Sequence, residues 1–167
     1  MPEGKNALPP LPRLVLDTNI LLSGMANRSS ASGQVLAHCE TRRALLLVSR
    51  PIQAEYRRVL GSAEMLRRNA EISHQAVELV LRRLRYVGQY LEQVKARFRF
   101  DRDPDDEAFI ELAIEGSASH LVTSDNDLLS LARGHDDAAK RLRQRLPALR
   151  ILRPVEFLRE LERSPIR

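Results

Sequence analysis

The stretch RLVLDTNILLSG, residues 13–24, interrupts an apolar run with Asp17, Thr18 and Asn19. The short continuous apolar run at residues 14–16 predicts a buried β-strand over residues 14–17. Apolar residues resume at Ile20, so a helix is expected to follow directly. An acid at such a junction has two explanations: it caps the helix, or it delivers a carboxylate to a functional site.

Outward from that stretch, strand-like and helix-like runs alternate along the chain. Residues 91–100 are ambiguous and allow a short edge strand, and the basic insertion at residues 134–147 has some helical character. This alternation predicts an α/β fold with a central, mainly parallel sheet covered by helices. We predict strands at 14–17, 44–48, 120–124 and 149–152, and helices at 30–43, 50–60, 73–88, 103–116, 126–133 and 155–162.

The composition is that of one ordinary globular domain, with 167 residues, 43% apolar and 29% charged. The lone cysteine, Cys39, cannot form an intramolecular disulfide, which suits a reducing cytoplasm. No apolar run reaches membrane-spanning length, so no membrane association is expected. We predict a flexible N-terminal lead-in at residues 1–12, without the apolar core of a signal peptide, and a single domain at residues 13–163.

The chain is basic, with a net charge of +5 and a pI of about 10.0. Such a balance is compatible with a polyanionic partner such as nucleic acid. Solvated helix faces, or docking to an acidic protein, would explain the same charge. The basic residues are clustered at Arg82, Arg83 and Arg85, at Lys95, Arg97 and Arg99, and at Lys140, Arg141, Arg143 and Arg145.

Two acids follow predicted strands. Asp17 ends the first strand, and Asp125 follows the strand at residues 120–124. Ligands of parallel α/β proteins bind at the carboxyl ends of the strands, where the strand order reverses. Each acid alone is more simply a helix cap, but together they predict a shared site.

Two further acids fall on predicted apolar helix faces. Glu55 lies three residues after Ile52 and four before Val59, so it shares their face. Asp106 lies in the same way on the face of Phe109 and Ile110. The simpler explanations are a salt bridge to a nearby arginine for Glu55, and capping and dipole stabilisation at the helix start for Asp106.

Together, the four acids Asp17, Glu55, Asp106 and Asp125 predict a cation site. Two bare carboxylates repel by about 4 kcal/mol at 4 Å and an effective dielectric near 20, so gathered acids need protons or a cation. Ligands that are all oxygens select a hard divalent ion such as Mg²⁺ or Mn²⁺. Such an ion beside spare carboxylates suits phosphodiester hydrolysis, so with the basic clusters the sequence predicts a nuclease.

Four blocks of the chain resemble, in order, the signature blocks of PIN-domain proteins. The resemblance covers residues 13–158 and is nearest to the branch described as toxin components of bacterial toxin–antitoxin systems. The combination of blocks is specific, whereas any one alone would be weak. The blocks are LVLDTNILLSG (14–24), VSRPIQAEYRRVL (48–60), DPDDEAFIELAIEGSASHLVTSDNDLL (103–129) and ILRPVEFL (151–158).

The resemblance implies a Rossmann-like, three-layer α/β/α PIN fold and a metal-dependent endoribonuclease acting on single-stranded RNA. The family's four acids match Asp17, Glu55, Asp106 and Asp125, which would hold one or two Mg²⁺ or Mn²⁺ ions. The supporting positions are Asn19, which would brace Asp17, Ser124, where the family often has glycine, and the accessory acids Asp103, Asp105 and Asp127.

The resemblance also implies partners. A toxin of this branch would be held by a cognate antitoxin protein, and homodimers are common, with the helices at residues 30–43 and 73–87 as candidate faces. Two alternatives stay open. One is an RNA-processing nuclease outside toxin–antitoxin systems. The other is a non-catalytic RNA-binding or protein-interaction module whose acids merely cap helices.

Overall fold

A computed structural model of the protein describes residues 10–163. Helix α1 begins directly after the first strand, and a 3-10 turn at Pro104–Asp106 precedes α6. Within this part of the chain, no helix is long and apolar enough to cross a bilayer. The strands are β1 (Arg13–Leu16), β2 (Leu45–Ser49), β3 (Gln89–Leu91), β4 (His120–Val122) and β5 (Arg150–Leu152), and the helices are α1 (Thr18–Ala26), α2 (Ala31–Glu40), α3 (Arg50–Leu60), α4 (Ala63–Arg68), α5 (His74–Val87), α6 (Glu107–Glu115), α7 (Asn126–Arg133), α8 (Asp137–Arg145) and α9 (Pro154–Arg163).

The five strands form one parallel sheet in the order β3-β2-β1-β4-β5. In the centre, Leu14 of β1 lies opposite both Leu46 of β2 and His120 of β4. The strand order reverses between β1 and β4, so the topological switch point lies at their carboxyl ends. The predicted three-layer α/β/α class with a parallel sheet is confirmed.

The core is aliphatic because the central strands are covered on both faces. Leu14, Val15 and Leu16 of β1 are fully buried, as a strand inside a parallel sheet requires. Three of the few aromatic residues, Tyr56, Phe100 and Phe157, are the largest fully buried side chains. The scarcity of aromatics therefore does not prevent a packed core.

Most predicted element boundaries are confirmed, because local signals determine them. The hydroxyl of Ser73 caps α5 by accepting a hydrogen bond from the Ala76 N–H at 3.1 Å, and α5 ends before Gly88. Three differences remain. Helix α4 was not predicted. The edge strand β3 (Gln89–Leu91) precedes all but the first residue of the ambiguous segment, whose remainder is irregular chain, and the insertion contains a full helix, α8.

The predicted lead-in falls mostly outside the described residues, since residues 1–9 are not among them. Its last residue, Pro12, is buried, and its carbonyl accepts a hydrogen bond from the Leu45 N–H at 2.8 Å. This residue therefore belongs to the folded domain rather than to a flexible segment.

Candidate active site

The two strand-end acids are joined by a single buried hydroxyl. The Thr123 Oγ1 atom donates to Asp17 Oδ2 at 2.7 Å and accepts from the Asp125 N–H at 2.9 Å. Asp17 itself donates its N–H to the Val122 carbonyl at 3.0 Å, which continues the pairing of β1 with β4. Thr123 is 0% exposed and Asp17 is 6% exposed, so this link is shielded from water. The predicted convergence of Asp17 and Asp125 at the switch point is confirmed.

Both strand-end acids also cap helices, so the simpler explanation holds alongside the functional one. Asp17 Oδ1 accepts from the Asn19 N–H at 3.4 Å at the start of α1. Asp125 Oδ1 accepts from the N–H groups of Asp127 and Leu128, at 2.7 and 3.1 Å, at the start of α7. Neither bond at Asp125 uses Oδ2. Burial raises the pKa of Asp17 above its usual range, although its hydrogen bonds with Thr123 and Asn19 oppose the shift.

Asp106, in the 3-10 turn before α6, carries the unsatisfied group of the site. Its Oδ2 atom is buried and has no hydrogen-bond partner among the described residues. Burial, and then the negative charges of Asp103, Asp17, Asp125 and Asp127, raise the pKa of Asp106 to about 7. A carboxyl group so destabilised in its charged form is a functional-site candidate on physical grounds.

Glu55 does not join this group. Its two oxygens accept hydrogen bonds from Arg58, at 3.0 Å from Nε and 2.8 Å from Nη2, and its side chain is 28% exposed. The predicted inward placement of Glu55 is therefore wrong in detail: it lies at the edge of the buried face, paired with the arginine one helical turn later. Its role at the site stays a prediction.

Tyr56, beside Glu55, fixes α3 against the end of β1. Its buried hydroxyl donates to the Leu16 carbonyl at 2.6 Å, immediately before Asp17. Burial, followed by the charge of Asp17, raises the pKa of Tyr56. Tyr56 is not among the predicted site residues, and it lies on the buried face of α3 with Ile52 and Leu60. A tyrosine on such a face is the available signal, because its hydroxyl must find a partner when buried.

The predicted braces are replaced by another residue. Asn19 is exposed and contributes its backbone N–H, and no hydrogen bond from its side chain to Asp17 occurs within residues 10–163. Ser124 is also exposed, and its carbonyl, not its hydroxyl, takes part in a hydrogen bond, with Arg153. The brace is Thr123. The signal in the sequence was a hydroxyl at the end of a strand buried on both faces, where it must bond inward.

The accessory acids differ in position. Asp103 is half-buried and accepts from the Asp105 N–H at 3.1 Å, so it caps the 3-10 turn. Asp105 is exposed. Asp127 is partly exposed and lies 3.8 Å from an Arg102 guanidinium nitrogen. Asp103 and Asp127 therefore contribute negative charge around Asp106, whereas Asp105 faces solvent.

The carboxylate oxygens of the site are the right kind of ligand for a hard divalent cation, but they are not arranged to bind one in this structure. No group of three His, Cys, Asp or Glu side chains in the described part of the chain is arranged to hold an ion as it stands. The orphaned Asp106 Oδ2 and the uncommitted Asp125 Oδ2 are, however, carboxylate oxygens of the kind that Mg²⁺ and Mn²⁺ prefer. Binding an ion here would require some of these side chains to move.

The basic insertion forms one surface with the preceding basic cluster. Arg141 of α8 donates to the Arg99 carbonyl at 3.1 Å, and Arg145 donates to the Arg97 carbonyl. The guanidinium of Arg141 also lies 5.7 Å from the centroid of the Phe98 ring. Two of the three basic clusters are thus adjacent, which the sequence did not predict.

The chain is an all-parallel α/β domain with carboxylates at its topological switch point, which is where domains of this class bind their ligands. A model of the family described as PIN domain matches residues 13–127, and the chain belongs to this family. PIN domains are generally nucleases and typically use divalent metal ions. The matched segment contains all four predicted acids, whereas α8, β5 and α9 lie beyond it. No curated protein and no solved structure matches the chain.

Proposed function

We propose that the protein is a metal-dependent endoribonuclease that cleaves single-stranded RNA by phosphodiester hydrolysis, with one or two Mg²⁺ or Mn²⁺ ions. The single observation that carries this proposal is the buried, unpartnered Asp106 Oδ2 beside Asp17 and Asp125. A buried oxygen without a partner costs about 1–3 kcal/mol, more for a charged group, so the charged form of Asp106 needs a compensating ligand. A bound cation would supply that compensation for all three carboxylates together.

In this proposal, Asp17 and Asp125 provide oxygens whose positions are fixed by Thr123 and by helix capping. Asp106 adds its free oxygen, and Glu55 joins after releasing Arg58. The ion, when bound, makes the attacking water more acidic and offsets charge on the phosphate. A carboxylate not engaged with the ion accepts the water's proton. Attack on phosphorus breaks the bond to the 3′-oxygen, which takes up a proton, and leaves a 5′-phosphate product.

The biological role is proposed from the sequence resemblance. We propose that the protein acts in the cytoplasm as the toxin of a toxin–antitoxin pair, held by a cognate antitoxin and able to form homodimers. The runner-up is an RNA-processing nuclease. The two roles are separated by inducing the wild type with and without the product of the neighbouring gene, which would be the antitoxin, and mapping the RNA ends. A toxin arrests growth and is silenced by that product. A processing enzyme neither arrests growth nor is silenced by it.

The test of activity uses the purified protein and a labelled single-stranded RNA. Cleavage is expected with Mn²⁺ or Mg²⁺, loss of cleavage with EDTA, and loss in Asp17→Asn. The matched control is Asp137→Asn, an acid that is 89% exposed in the first turn of α8. RNA binding without cleavage under every metal condition would support a non-catalytic binding module and contradict the nuclease proposal.

A further inference from the structure

A cleft of about 260 Å³ opens between α7 and the start of α9, next to Asp125 but outside the acidic site. None of the residues assigned to the acidic site lines this cleft. Its lining combines two guanidinium groups, an amide and a hydroxyl with a single carboxylate. The lining residues are Asn126, Leu129, Ser130, Arg133, Arg153 and Glu156.

Arg153, which follows β5, points its guanidinium at the residues on either side of Asp125. Its Nη2 donates to Asn126 Oδ1 at 2.9 Å, and its Nη1 lies at a longer 3.4 Å from the Ser124 carbonyl. A guanidinium has five N–H donors, so these bonds leave three available. Arg153 is therefore held in position next to a candidate catalytic acid while most of its donors remain free.

Arg133, at the end of α7, contributes the second cation of the cleft. It lies 3.7 Å from Glu156 Oε1, and its side chain is largely exposed. The other Glu156 oxygen accepts from the backbone N–H of Arg153 at 2.9 Å. The pairing of Glu156 with the Arg133 guanidinium is loose and solvent-exposed, and its bond with Arg153 is to the backbone, so this carboxylate neutralises the two cations of the cleft only in part.

We propose that this cleft binds a backbone phosphate of the RNA, one next to the phosphate that the acidic site cleaves. The planar fork of arginine matches phosphate oxygens with two parallel bonds, and the Ser130 and Asn126 side chains add polar contacts. The cleft lies at the same carboxyl edge of the sheet as Asp17 and Asp125, so one RNA strand can contact both the cleft and the acidic site. This inference rests on the proposed function, since it assigns that site's substrate.

The test measures binding of a fluorescent single-stranded RNA in EDTA, with Asp17→Asn as the parent so that no cleavage interferes. Arg153→Gln and Arg133→Gln are each added to this parent. Each is expected to weaken binding about three- to tenfold and to reduce the slope of log K against log salt by about 0.7, the value for one lost contact to a single strand. The control is Arg68→Gln, an exposed arginine paired with Glu64 on α4.

A purely structural role for Arg153 has a different signature. Asn126→Ala removes the hydrogen bond between Asn126 and Arg153 but leaves the Arg153 guanidinium in place. If Arg153 has only a structural role, Arg153→Gln and Asn126→Ala lower the Tm by similar amounts, and neither changes the slope of log K against log salt. That result overturns the proposal. If it binds phosphate, Arg153→Gln lowers the slope and in the active enzyme raises KM more than it lowers kcat, whereas Asn126→Ala keeps the slope.

Inorganic phosphate serves as a second probe, because free phosphate and an RNA phosphate share the same chemistry. Competition by millimolar phosphate that disappears in Arg153→Gln supports the cleft. If the slope of log K against log salt is unchanged in both Arg153→Gln and Arg133→Gln, the proposal that the cleft binds phosphate is wrong, and the nuclease proposal is unaffected. Absence of RNA binding by the parent itself contradicts the proposed RNA substrate, and the cleft with it.

Discussion

The two strand-end acids and the two helix acids of this site are held in opposite ways. Asp17 and Asp125 share the Thr123 hydroxyl, cap helices, and lie on adjacent strands whose register the sheet fixes. Asp106 has an orphaned oxygen on a 3-10 turn, and Glu55 is paired with Arg58 at the surface. One half of the site is built before any ligand binds, and the other half is free to adjust.

The difference follows from the elements that carry the acids. A strand end in a parallel sheet is positioned by two neighbouring strands, so a side chain there has little freedom. A residue at the edge of a helix face can reach either the core or the solvent by changing its rotamer. An adjustable half lets a site bind and release an ion, at the cost of unsatisfied groups in its absence. The predictions below test each half in turn.

The largest expected effect is on catalysis in Asp17→Asn. Losing a positioning partner of a metal site already costs about 10–100-fold, so losing a ligand should lower kcat by at least about 10²-fold. Folding should be unaffected or slightly improved, because Asn can still accept from Thr123 and the buried charge is removed. RNA cleavage and a thermal melt check both parts. Cleavage within tenfold of the wild type would remove Asp17 from the mechanism.

The next effect is a pH dependence that comes from Asp106. Folding raises its pKa from 3.8 to about 7, so between those values the unfolded chain releases a proton that the folded protein keeps. The free energy of unfolding of the metal-free protein should therefore fall as pH rises from about 4 to 7. In Asp106→Asn this decline should be shallower, because the titrating group is absent.

Urea unfolding at several pH values in EDTA measures that slope. Asp105→Asn is the control, since this exposed neighbour should leave the slope unchanged. Added Mn²⁺ at pH 7.5 should raise the Tm of the wild type and of Asp105→Asn, but raise that of Asp106→Asn less. Equal stabilisation of all three proteins would show that Asp106 does not contact the ion.

A third effect separates the brace from the acids. Thr123→Val removes the hydroxyl and leaves the buried Asp17 Oδ2 atom without its donor, which should cost about 1–3 kcal/mol of unfolding free energy. Thr123→Ser keeps the hydroxyl and should lose about 1 kcal/mol for the missing methyl group. The Thr123 bond lowers the pKa of Asp17, so the cleavage profile of Thr123→Val should also move to higher pH. Identical profiles in the two variants would assign the bracing to backbone groups alone.

The sequence predicted the rigid half of this site better than the adjustable half. Strand ends, helix starts and parallel order follow from local apolar runs, caps and glycines, so Asp17 and Asp125 could be placed together without coordinates. The periodicity that placed Asp106 inward also held, since its orphaned oxygen is buried. For Glu55 the same argument fell short, because helical spacing fixes a face but not a rotamer, and Arg58 one turn later offered a partner.

The individual hydrogen bonds between distant segments could not be predicted from the sequence. The link from Thr123 to Asp17 spans 106 positions, and the bond from Tyr56 to Leu16 spans 40. The cleft at Arg153 exists because β5 ends next to β4 in the sheet order, which no local pattern encodes. What the sequence supplies is the list of polar residues that need a partner, and the topology decides which partner they find.

The smallest expected effect concerns the pair of Glu55 and Arg58. Exposed ion pairs contribute little to stability, so Arg58→Ala should leave the free energy of unfolding nearly unchanged. If Glu55 joins the site by releasing Arg58, this variant frees it in advance, and the Mn²⁺ concentration for half-maximal cleavage should fall about two- to threefold.

The matched control for Arg58→Ala is Arg57→Ala, which removes the neighbouring arginine from its exposed pair with Glu78. It should leave the metal dependence unchanged, because Glu78 is outside the site. Glu55→Gln should raise the Mn²⁺ requirement. The double variant with Arg58→Ala should raise it by the same amount, because position 55 then has no carboxylate that the loss of Arg58 could release. If Arg58→Ala lowers the Mn²⁺ requirement even with Gln at position 55, Arg58 acts through the general field of its charge, and Glu55 belongs to the surface and not to the adjustable half of the site.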